Sequence, residues 1–331
     1  MVHRPKWFKD GEVFVSYAST VGINKDGEEL YVIDPATGDR TNKIDDQVSV
    51  DVAALIAGEE TLTGKWVGAP IGEGTFTAVP VYFDDRSTAK FDDLMKSPGL
   101  SGFSEMTLGD LIDAGKVVAR AGHGSPSADM RTGAVPYIKV SDIRAGQVNI
   151  NPTNRVPEVV AHKFWKGSDS HLSAYDLITP IRTSKNIGDF AVLMPGQQRV
   201  VLTKEVLVLH AQEDGDFDNF YLLWAMSLEA VRRQWDRIVF MQTNREDVGM
   251  RYREIRVPVA PDRATALRVS SPFRDYYLGS QEIRNSFLEY LTDDGRHHIF
   301  LSSAEAVDEE IAAETEELSE RGLGQSHSNA D

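Results

Sequence analysis

The sequence predicts an α/β (α+β) protein with a mixed sheet, one long helix in its middle, a small N-terminal α/β region and a helical C-terminus. Three observations support this prediction. Short apolar runs rich in Val and Ile recur along the chain, and Gly, Pro, Asn and Asp turns bound them. One longer segment, 218–237, places its apolar residues at helical spacing. The 331 residues are also enough for two domains, each with its own core.

The apolar runs place the strands and divide the chain into four parts. Strands are predicted at 13–15, 30–33, 78–83, 117–120, 135–140, 176–181, 191–193, 200–209 and 254–259. Helices are predicted at 48–57, at a capped turn beginning at Thr107, at 281–291 and from Ser302, where Glu305 completes capping-box spacing. The expected parts are 1–105, 106–265, 266–321 and a disordered tail at 322–331.

The segment 218–237 is the clearest helix in the sequence. Asp216 or Asp218 can cap its N-terminus, and arginines near its end suit the helix dipole. Its aromatic residues have two interpretations: they can stack on bases or pack in a core, and the helical spacing favours the core. They are Phe220, Tyr221, Trp224 and Trp235.

Composition limits the functional classes. The net charge is −16, of which residues 1–100 carry about −7 and residues 301–331 about −8, so residues 101–300 are nearly neutral. A DNA-binding surface in that middle needs a locally basic groove or partner subunits. The absence of cysteine excludes disulfides and thiolate zinc sites and is typical of a cytoplasmic protein. No apolar run is long enough for a membrane span. His297 and His298 lie beside Asp293 and Asp294, but the clustering does not fit one metal site, so no metal is predicted.

Three segments carry the functional signal in a fixed order. The first contains Arg120-Ala121-Gly122-His123-Gly124-Ser125-Pro126 and then Val135-Pro136-Tyr137-Ile138-Lys139-Val140-Ser141-Asp142-Ile143-Arg144-Ala145-Gly146. The second is Leu172-Ser173-Ala174-Tyr175-Asp176-Leu177-Ile178. The third combines the aromatic helix, the polar loop Met241-Gln242-Thr243-Asn244-Arg245 and the strand Ile255-Arg256-Val257-Pro258-Val259-Ala260-Pro261. As an ordered set over 116–261, they resemble one target-recognition domain of a type I restriction-modification specificity subunit.

The resemblance implies a domain that reads a short DNA half-site and positions a partner N6-adenine methyltransferase, often with a translocase-nuclease. Arg can pair with guanine, and Asn or Gln with adenine, in the major groove of double-stranded DNA. Ser, Thr and Lys would mostly contact phosphates. The candidate DNA contacts are Arg120, His123, Ser125, Arg131, Lys139, Arg144, Arg182, Ser184, Lys185, Asn186, Gln197, Arg199, Gln242, Thr243, Asn244, Arg245 and Arg251.

Each candidate also has a plainer interpretation. The arginines can be exposed strand-end residues, His123 can be a solvent-exposed histidine, and Gln197 and Arg199 can belong to a hairpin turn. Asp176 has no His or Ser at a recognisable sequence distance, which favours a turn-stabilising role over a catalytic one.

The first hundred residues are similar to the C-terminal tail of N6-adenine DNA methyltransferases. The similarity covers the strand at 13–15, the glycines Gly22 and Gly27, and Asp45-Asp46. The Asp/Asn-Pro-Pro-Tyr/Phe motif of such enzymes is missing from the sequence, and Asn151-Pro152-Thr153-Asn154 lacks its second proline and its aromatic residue. We therefore expect no catalysis by this chain itself and no cofactor, since S-adenosylmethionine would bind only to a partner methyltransferase.

Two other functions stay open from the sequence. The chain can be the C-terminal part of a split N6-adenine methyltransferase that is active only with a partner chain. It can also be a protein-protein adaptor whose acidic surface does not touch DNA. A single recognition domain would read one half-site, so a bipartite target requires a homodimer or a second subunit.

Overall fold

A computed structural model describes residues 12–68 and 84–295, apart from Ser19, Lys25, Pro152, Thr183, Glu213, Asp214, Thr243 and Asn244. The chain divides into two compact units between Ser87 and Thr88. The strand predicted at 78–83 and the helix predicted from Ser302 lie outside the described residues. No helix within the described residues is both long and apolar enough to cross a membrane.

Residues 12–68 of the first unit form two strand pairs and one helix. Strand β1 (Glu12–Ser16) pairs antiparallel with β4 (Gly64–Gly68), and β2 (Tyr31–Ile33) pairs antiparallel with β3 (Arg40–Ile44). Helix α1 (Gln47–Ala57) begins where the Asp46 carboxylate accepts a hydrogen bond from the Ser49 N–H, at 3.0 Å. The predicted helix at 48–57 is confirmed.

A buried carboxylate ties α1 to the end of the β1–β4 pair. Asp51 is fully buried and accepts hydrogen bonds from the N–H groups of Leu62 (2.8 Å) and Thr63 (2.9 Å) and from the Ser16 hydroxyl (2.7 Å). Burial alone would raise the pKa of Asp51, but these hydrogen bonds outweigh it and lower the pKa. The first unit is thus fastened by a polar network as well as by apolar packing.

The second unit contains the mixed sheets that the sequence predicts, and the predicted fold class is confirmed. Its central sheet has six strands in the order β6-β14-β11-β12-β9-β8, antiparallel except for the β12–β9 pair. A three-stranded sheet, β10-β7-β13, lies in the same unit, as do the pairs β17–β5 and β15–β16. The bounds are β5 (Ser104–Thr107), β6 (Val117–Ala121), β7 (Val135–Ile138), β8 (Ile143–Arg144), β9 (Gln147–Val148), β10 (Arg155–Val156), β11 (Leu177–Pro180), β12 (Ala191–Val192), β13 (Val201–Leu202), β14 (Val206–Ala211), β15 (Phe240–Gln242), β16 (Arg245–Asp247) and β17 (Arg256–Val259).

The strands of the central sheet are short and almost wholly buried. In β14, residues Val206–Leu209 are buried on both faces, which is why the segment reads as a continuous apolar run rather than an alternating one. The run predicted as one strand at 200–209 is two strands, because the chain turns between β13 and β14 and the Val206 N–H donates to the Thr203 carbonyl, at 3.2 Å. One apolar core lies on each face of this sheet, and a smaller one lies under the three-stranded sheet.

Eight helices occur among the described residues, most of them short. Their bounds are α1 as above, then α2 (Arg86–Met95), α3 (Leu108–Asp113), α4 (Glu158–Trp165), α5 (Asn219–Ser227), α6 (Glu229–Arg232), α7 (Gln234–Ile238) and α8 (Arg263–Asp293). Helix α3 begins with a reciprocal capping box between Thr107 and Asp110, as the sequence predicts.

The prediction of one continuous helix at 218–237 is wrong. Asp218 caps α5 as expected, but the backbone is extended at Leu228, and α6 and α7 follow as separate helices. The Ser227 hydroxyl donates to the Trp224 carbonyl at 2.9 Å, the acceptor that a continuing helix would give to the Leu228 N–H. The Leu228 N–H donates instead to the Ala225 carbonyl, at 3.3 Å. The hydroxyl thus competes with the helix ladder at the position where the helix ends.

The aromatic side chains of this segment belong to the core, as predicted. Trp235, Tyr221 and Phe220 are buried, and Trp224 is half-buried against them. The Tyr221 hydroxyl donates to the Pro258 carbonyl (2.9 Å) and accepts from the Ala260 N–H (2.8 Å), which fixes α5 to β17. Burial raises the pKa of Tyr221.

Helix α8 is far longer than the helix predicted at 281–291, because it starts at Arg263 and passes through Pro272. Proline removes the N–H that would bond the Arg268 carbonyl. The Ser271 hydroxyl donates to that carbonyl instead, at 3.1 Å, so the acceptor keeps a partner. Ala266, Ser270 and Tyr277 of α8 are buried, whereas Ile283, Phe287 and Tyr290 are exposed. The helix therefore packs with its first half and presents its second half outward.

Candidate nucleic-acid interface

The polar motif that contains Gln242 and Arg245 lies at the tip of a β-hairpin. Strands β15 and β16 pair antiparallel, with Phe240 opposite Asp247 and Gln242 opposite Arg245. The two residues between them, Thr243 and Asn244, lie outside the described residues. The sequence motif is therefore the end of a two-stranded ribbon.

An ion pair fastens the base of this hairpin to the segment that follows β11. The Arg182 guanidinium donates from Nε to Asp247 Oδ2 at 2.5 Å, and its Nη2 also bonds this oxygen. The Asp247 side chain is buried and also accepts from the Gly249 N–H, at 2.8 Å. The backbone continues the connection, since the Val248 N–H donates to the Ile181 carbonyl at 3.0 Å. The hairpin and the segment after β11 thus form one joined structure.

This ion pair brings together two segments that contain predicted DNA contacts. Arg182 opens the loop that contains Ser184, Lys185 and Asn186, and Asp247 closes the hairpin. In the loop, the Ser184 hydroxyl accepts from the Asn186 N–H at 3.1 Å, and Lys185 is exposed. We call the loop 182–186 together with the hairpin 240–247 the reading surface.

The surroundings of the reading surface are mixed in charge. A shallow depression of about 270 Å³ is lined by Ser184, Lys185 and Arg232 among others. Arg232 donates to Asp189 at 2.7 Å and to Asp236 at 3.3 Å, so its charge is balanced. Arg251, a few residues after the hairpin, donates to Glu254 at 3.1 Å. Within the described part of this surface, Lys185 is an exposed cation, and no carboxylate contacts it.

The candidates from the first motif are tied into the protein interior. His123 lies between two backbone groups: its Nδ1 accepts from the Leu202 N–H (2.9 Å), and its Nε2 is 2.8 Å from the Ser170 carbonyl. This arrangement fits the neutral ring with a proton on Nε2. Burial lowers the pKa of His123, and Arg120 nearby adds to the effect. His123 therefore stays neutral at physiological pH and joins β13 to the loop before β11.

Ser125 and Arg131 are also engaged locally. The hydroxyls of Ser125 and Thr203 lie 3.1 Å apart. The Arg131 guanidinium donates to the Pro126 carbonyl at 3.0 Å and lies 5.3 Å from the centre of the Tyr137 ring. A role of these side chains in DNA contact stays a prediction.

The remaining candidates have diverse surroundings. Arg144 is exposed and donates to the Ser141 carbonyl at 2.9 Å, and the Lys139 side chain is half-buried beside the same 3₁₀ turn. Gln197 is buried. Its side-chain oxygen Oε1 accepts from the Met194 N–H at 3.0 Å, and its side-chain nitrogen Nε2 donates to the Val148 carbonyl at 3.4 Å. Arg199 donates to Glu158 at 3.0 Å. These side chains have structural partners, and their contact with DNA stays a prediction.

Sequence reasoning missed His210 as the partner of Asp176. Asp176 is fully buried and accepts from Arg120 Nη2 (2.9 Å) and the Ser173 N–H (2.9 Å), and the His210 Nδ1 lies 2.7 Å from its other oxygen. The three side chains meet because β6, β14 and β11 are adjacent strands. The available signal was a single histidine at the end of an otherwise apolar strand.

Comparison with known proteins gives structural matches. No protein-family model matches the sequence, and no curated protein matches it. The S subunit of a type I restriction-modification system from M. genitalium is 10% identical, with a TM-score of 0.35 over 58% of this chain and 41% of that one. The HsdS subunit from Thermoanaerobacter tengcongensis is 13% identical, with a TM-score of 0.35 over 72% of this chain and 50% of that one.

A third solved structure, described as showing complex assembly and conformational transition of the type I restriction-modification system, is 12% identical. Its TM-score is 0.37 over 68% of this chain and 50% of that one. This chain is thus similar to subunits of type I restriction-modification systems, the family that the motifs in residues 116–261 resemble. It spans half or less of the length of the chains that it matches.

Proposed function

We propose that this protein recognises a DNA sequence as the specificity component of a cytoplasmic restriction-modification or phage-defence complex. It would position a partner N6-adenine methyltransferase, and a nuclease subunit where one is present, without turnover of its own. The observation that carries the proposal is the Arg182–Asp247 anchor. It joins two loops whose residue types suit base and phosphate contacts into one surface.

The hairpin has a suitable shape for base readout. The major groove of B-DNA admits a two-stranded β-ribbon, and the tip of such a ribbon reaches the base edges. In the sequence, the segment that joins β15 to β16 reads Gln242-Thr243-Asn244-Arg245. Gln and Asn can bond adenine bidentately and Arg can bond guanine, so one tip offers contacts to both kinds of purine.

The loop 182–186 has a suitable composition for backbone contacts. Ser184 and Lys185 are residue types that position phosphates rather than read bases. Their loop follows β11, a fully buried strand, and is held by the ion pair at its start. Loops on a rigid scaffold lose little conformational entropy on binding, which favours affinity and a fixed register.

Net charge makes the salt dependence of binding informative. The chain carries a charge of −16, so attraction to DNA must come from local cations or from partner subunits. We expect affinity to fall as salt rises, because phosphate contacts release counterions. Affinity that is independent of salt between low and physiological concentration would contradict DNA binding.

Selection from a randomised duplex library tests base readout directly. The full chain, alone and with a candidate partner N6-adenine methyltransferase, should enrich a defined short sequence. The triple variant Q242A/N244A/R245A should lose this preference while keeping most of its affinity for unrelated duplex. The unfolding free energy of the triple variant should change by less than about 0.5 kcal/mol if these side chains serve DNA contact rather than the fold.

The matched control is R268A, which removes an exposed arginine from α8 outside the reading surface. It should enrich the same sequence as the wild type. Equal losses of the triple variant on all sequences would exclude the hairpin from base readout. Methylation of the enriched sequence by the partner, and none by this chain alone, would support the positioning role, whereas a partner without a catalytic motif of its own would favour the split-enzyme alternative.

A further inference from the structure

The outward face of α1, in the first unit, is apolar. The helix contains one ionisable residue, Asp51, and that carboxylate is buried. Apart from Ser49, the exposed residues of α1 are apolar, and the large ones are Val50, Val52 and Ile56, at 46%, 41% and 61% exposure. A helix at the surface of a protein ordinarily turns its apolar residues inward and its polar residues outward. The distribution in α1 is reversed, which is typical of a face that another element covers.

A shallow depression of about 660 Å³ runs along part of this face. Its apolar lining comes from α1 and from Leu62, which is 68% exposed. The lining residues of α1 are Val50, Ala53, Ala54 and Ala57, which lie on one side of the helix because they are spaced about one turn apart. Short side chains at a contact allow two helices to approach closely. We call these lining residues of α1 together with residues 59–62 the α1 groove.

The charged residues of the α1 groove are acidic. Glu59 and Glu60 line it and are exposed, and the described lining residues include no Lys or Arg. Within the described residues, no Lys or Arg contacts either glutamate. The surroundings have the same sign, since residues 12–68 contain 11 Asp and Glu but four Lys and Arg. The groove therefore attracts a basic occupant and repels DNA, an anionic membrane and a second copy of this acidic chain.

The shape of the groove favours a helix as the occupant. A partner strand would bind by adding to a sheet edge, whereas this groove is lined by a helix and the segment that follows it. We propose that the α1 groove binds an amphipathic α-helix of a partner protein. The apolar residues of that helix contact Val50 and Leu62, and its Lys or Arg side chains lie beside Glu59 and Glu60. This inference does not rest on the proposed function, since it concerns neither DNA nor the reading surface.

Selection from a displayed library of helical peptides, with the full chain as bait, tests the inference. The peptides have about five helical turns and randomised positions on an alanine-rich scaffold. We expect enrichment of sequences with apolar residues at helical spacing and Lys or Arg beside them. In calorimetric titration of the enriched peptide, V50Q/L62Q should weaken binding by about tenfold or more, because it removes apolar contacts from the groove. The control V159Q replaces an exposed valine of α4 and should bind as the wild type does.

The acidic residues of the groove are tested separately. E59Q/E60Q should weaken binding of the enriched peptide by about threefold at low salt. The difference from the wild type should vanish at about 0.5 M salt, because salt screens exposed charges. The control E282Q/E289Q removes two exposed carboxylates from α8 and should keep the wild-type affinity. Equal affinities of E59Q/E60Q and E282Q/E289Q at low salt would contradict a basic partner.

Thermal unfolding of the chain alone distinguishes a partner protein from another segment of this chain. Because Val50 and Leu62 are exposed, V50Q/L62Q should unfold within about 1 °C of the wild type. A fall of several degrees would show that this chain covers its own groove and would overturn the inference. Self-association of the full chain that V50Q/L62Q abolishes would identify a second copy and overturn it as well. The inference also fails if no peptide is enriched, or if V50Q/L62Q and V159Q bind the peptide equally well.

Discussion

The two groups of predicted DNA-contact residues differ in where their polar atoms find partners. In the reading surface, one ion pair between Arg182 and Asp247 holds the base of the β15–β16 hairpin. In the first motif, by contrast, Arg120 bonds the buried Asp176 carboxylate, and His123 bonds two backbone groups. The same residue types thus support a surface in one place and the interior in the other.

The largest loss of stability should come from a substitution at Asp176, which bonds Arg120 and His210. D176N replaces a fully buried carboxylate that bonds a guanidinium and an imidazole, and it leaves Arg120 without its anionic partner. We expect the free energy of unfolding in urea to fall by about 3 kcal/mol. The control D189N removes a half-exposed partner of Arg232 and should cost less than about 1 kcal/mol. Equal losses of unfolding free energy in D176N and D189N would contradict the distinction between the buried Asp176 carboxylate and the half-exposed Asp189 carboxylate.

An intermediate effect should follow from breaking the hairpin anchor. R182Q leaves the buried Asp247 carboxylate with its bond from Gly249 but without a cation, so we expect a loss of about 2 kcal/mol in urea unfolding. R182Q should also reduce sequence preference, because the hairpin and the loop 182–186 lose their common base. R232Q, which breaks more exposed ion pairs, should retain the preference. Full sequence preference in R182Q would show that the anchor has no role in readout.

The smallest effect concerns the pH dependence of stability. Because burial lowers the pKa of His123 in the folded protein, the unfolded chain binds more protons below its own pKa of about 6.5. The stability that His123 provides is therefore complete above that pH and is lost as the pH falls through the lower folded pKa. In H123Q, the decline of unfolding free energy from pH 7 to pH 5 should be shallower, by less than about 1 kcal/mol. H171Q removes an exposed histidine and should keep the wild-type profile.

Elements with strong local signals could be predicted from the sequence. Helix α1, the capped turn at Thr107 and the Asp218 cap depend on residues close together in the chain, and the structure confirms each of them. The early part of α8 was missed because Pro272 and Gly279 look like helix breakers. The structure retains the helix there through packing of Ala266, Ser270 and Tyr277, which is tertiary information.

The residue types of the candidate site could be predicted from the sequence, but the contacts that bring its segments together could not. The sequence identifies the polar motif 242–245 but predicts a loop between a helix and a strand, whereas Gln242 and Arg245 belong to the paired strands of a hairpin. Its pairing with the loop 182–186 depends on an ion pair between residues 65 positions apart, and the Asp176–His210 contact spans 34 positions. Spacing along one sequence does not encode such contacts, because they follow from the order of strands in the sheet.

Pro272 marks one position along α8 where the backbone hydrogen-bond ladder is interrupted. The ladder bond that proline removes is replaced by a side-chain bond from Ser271 to the Arg268 carbonyl. Some 21 residues separate Pro272 from the end of the helix at Asp293, roughly 32 Å at about 1.5 Å per residue. A bend of about 5° at the proline would therefore displace the far end by roughly 3 Å. The length of helix beyond Pro272 thus determines how far a small change of angle at the proline moves the exposed end of α8.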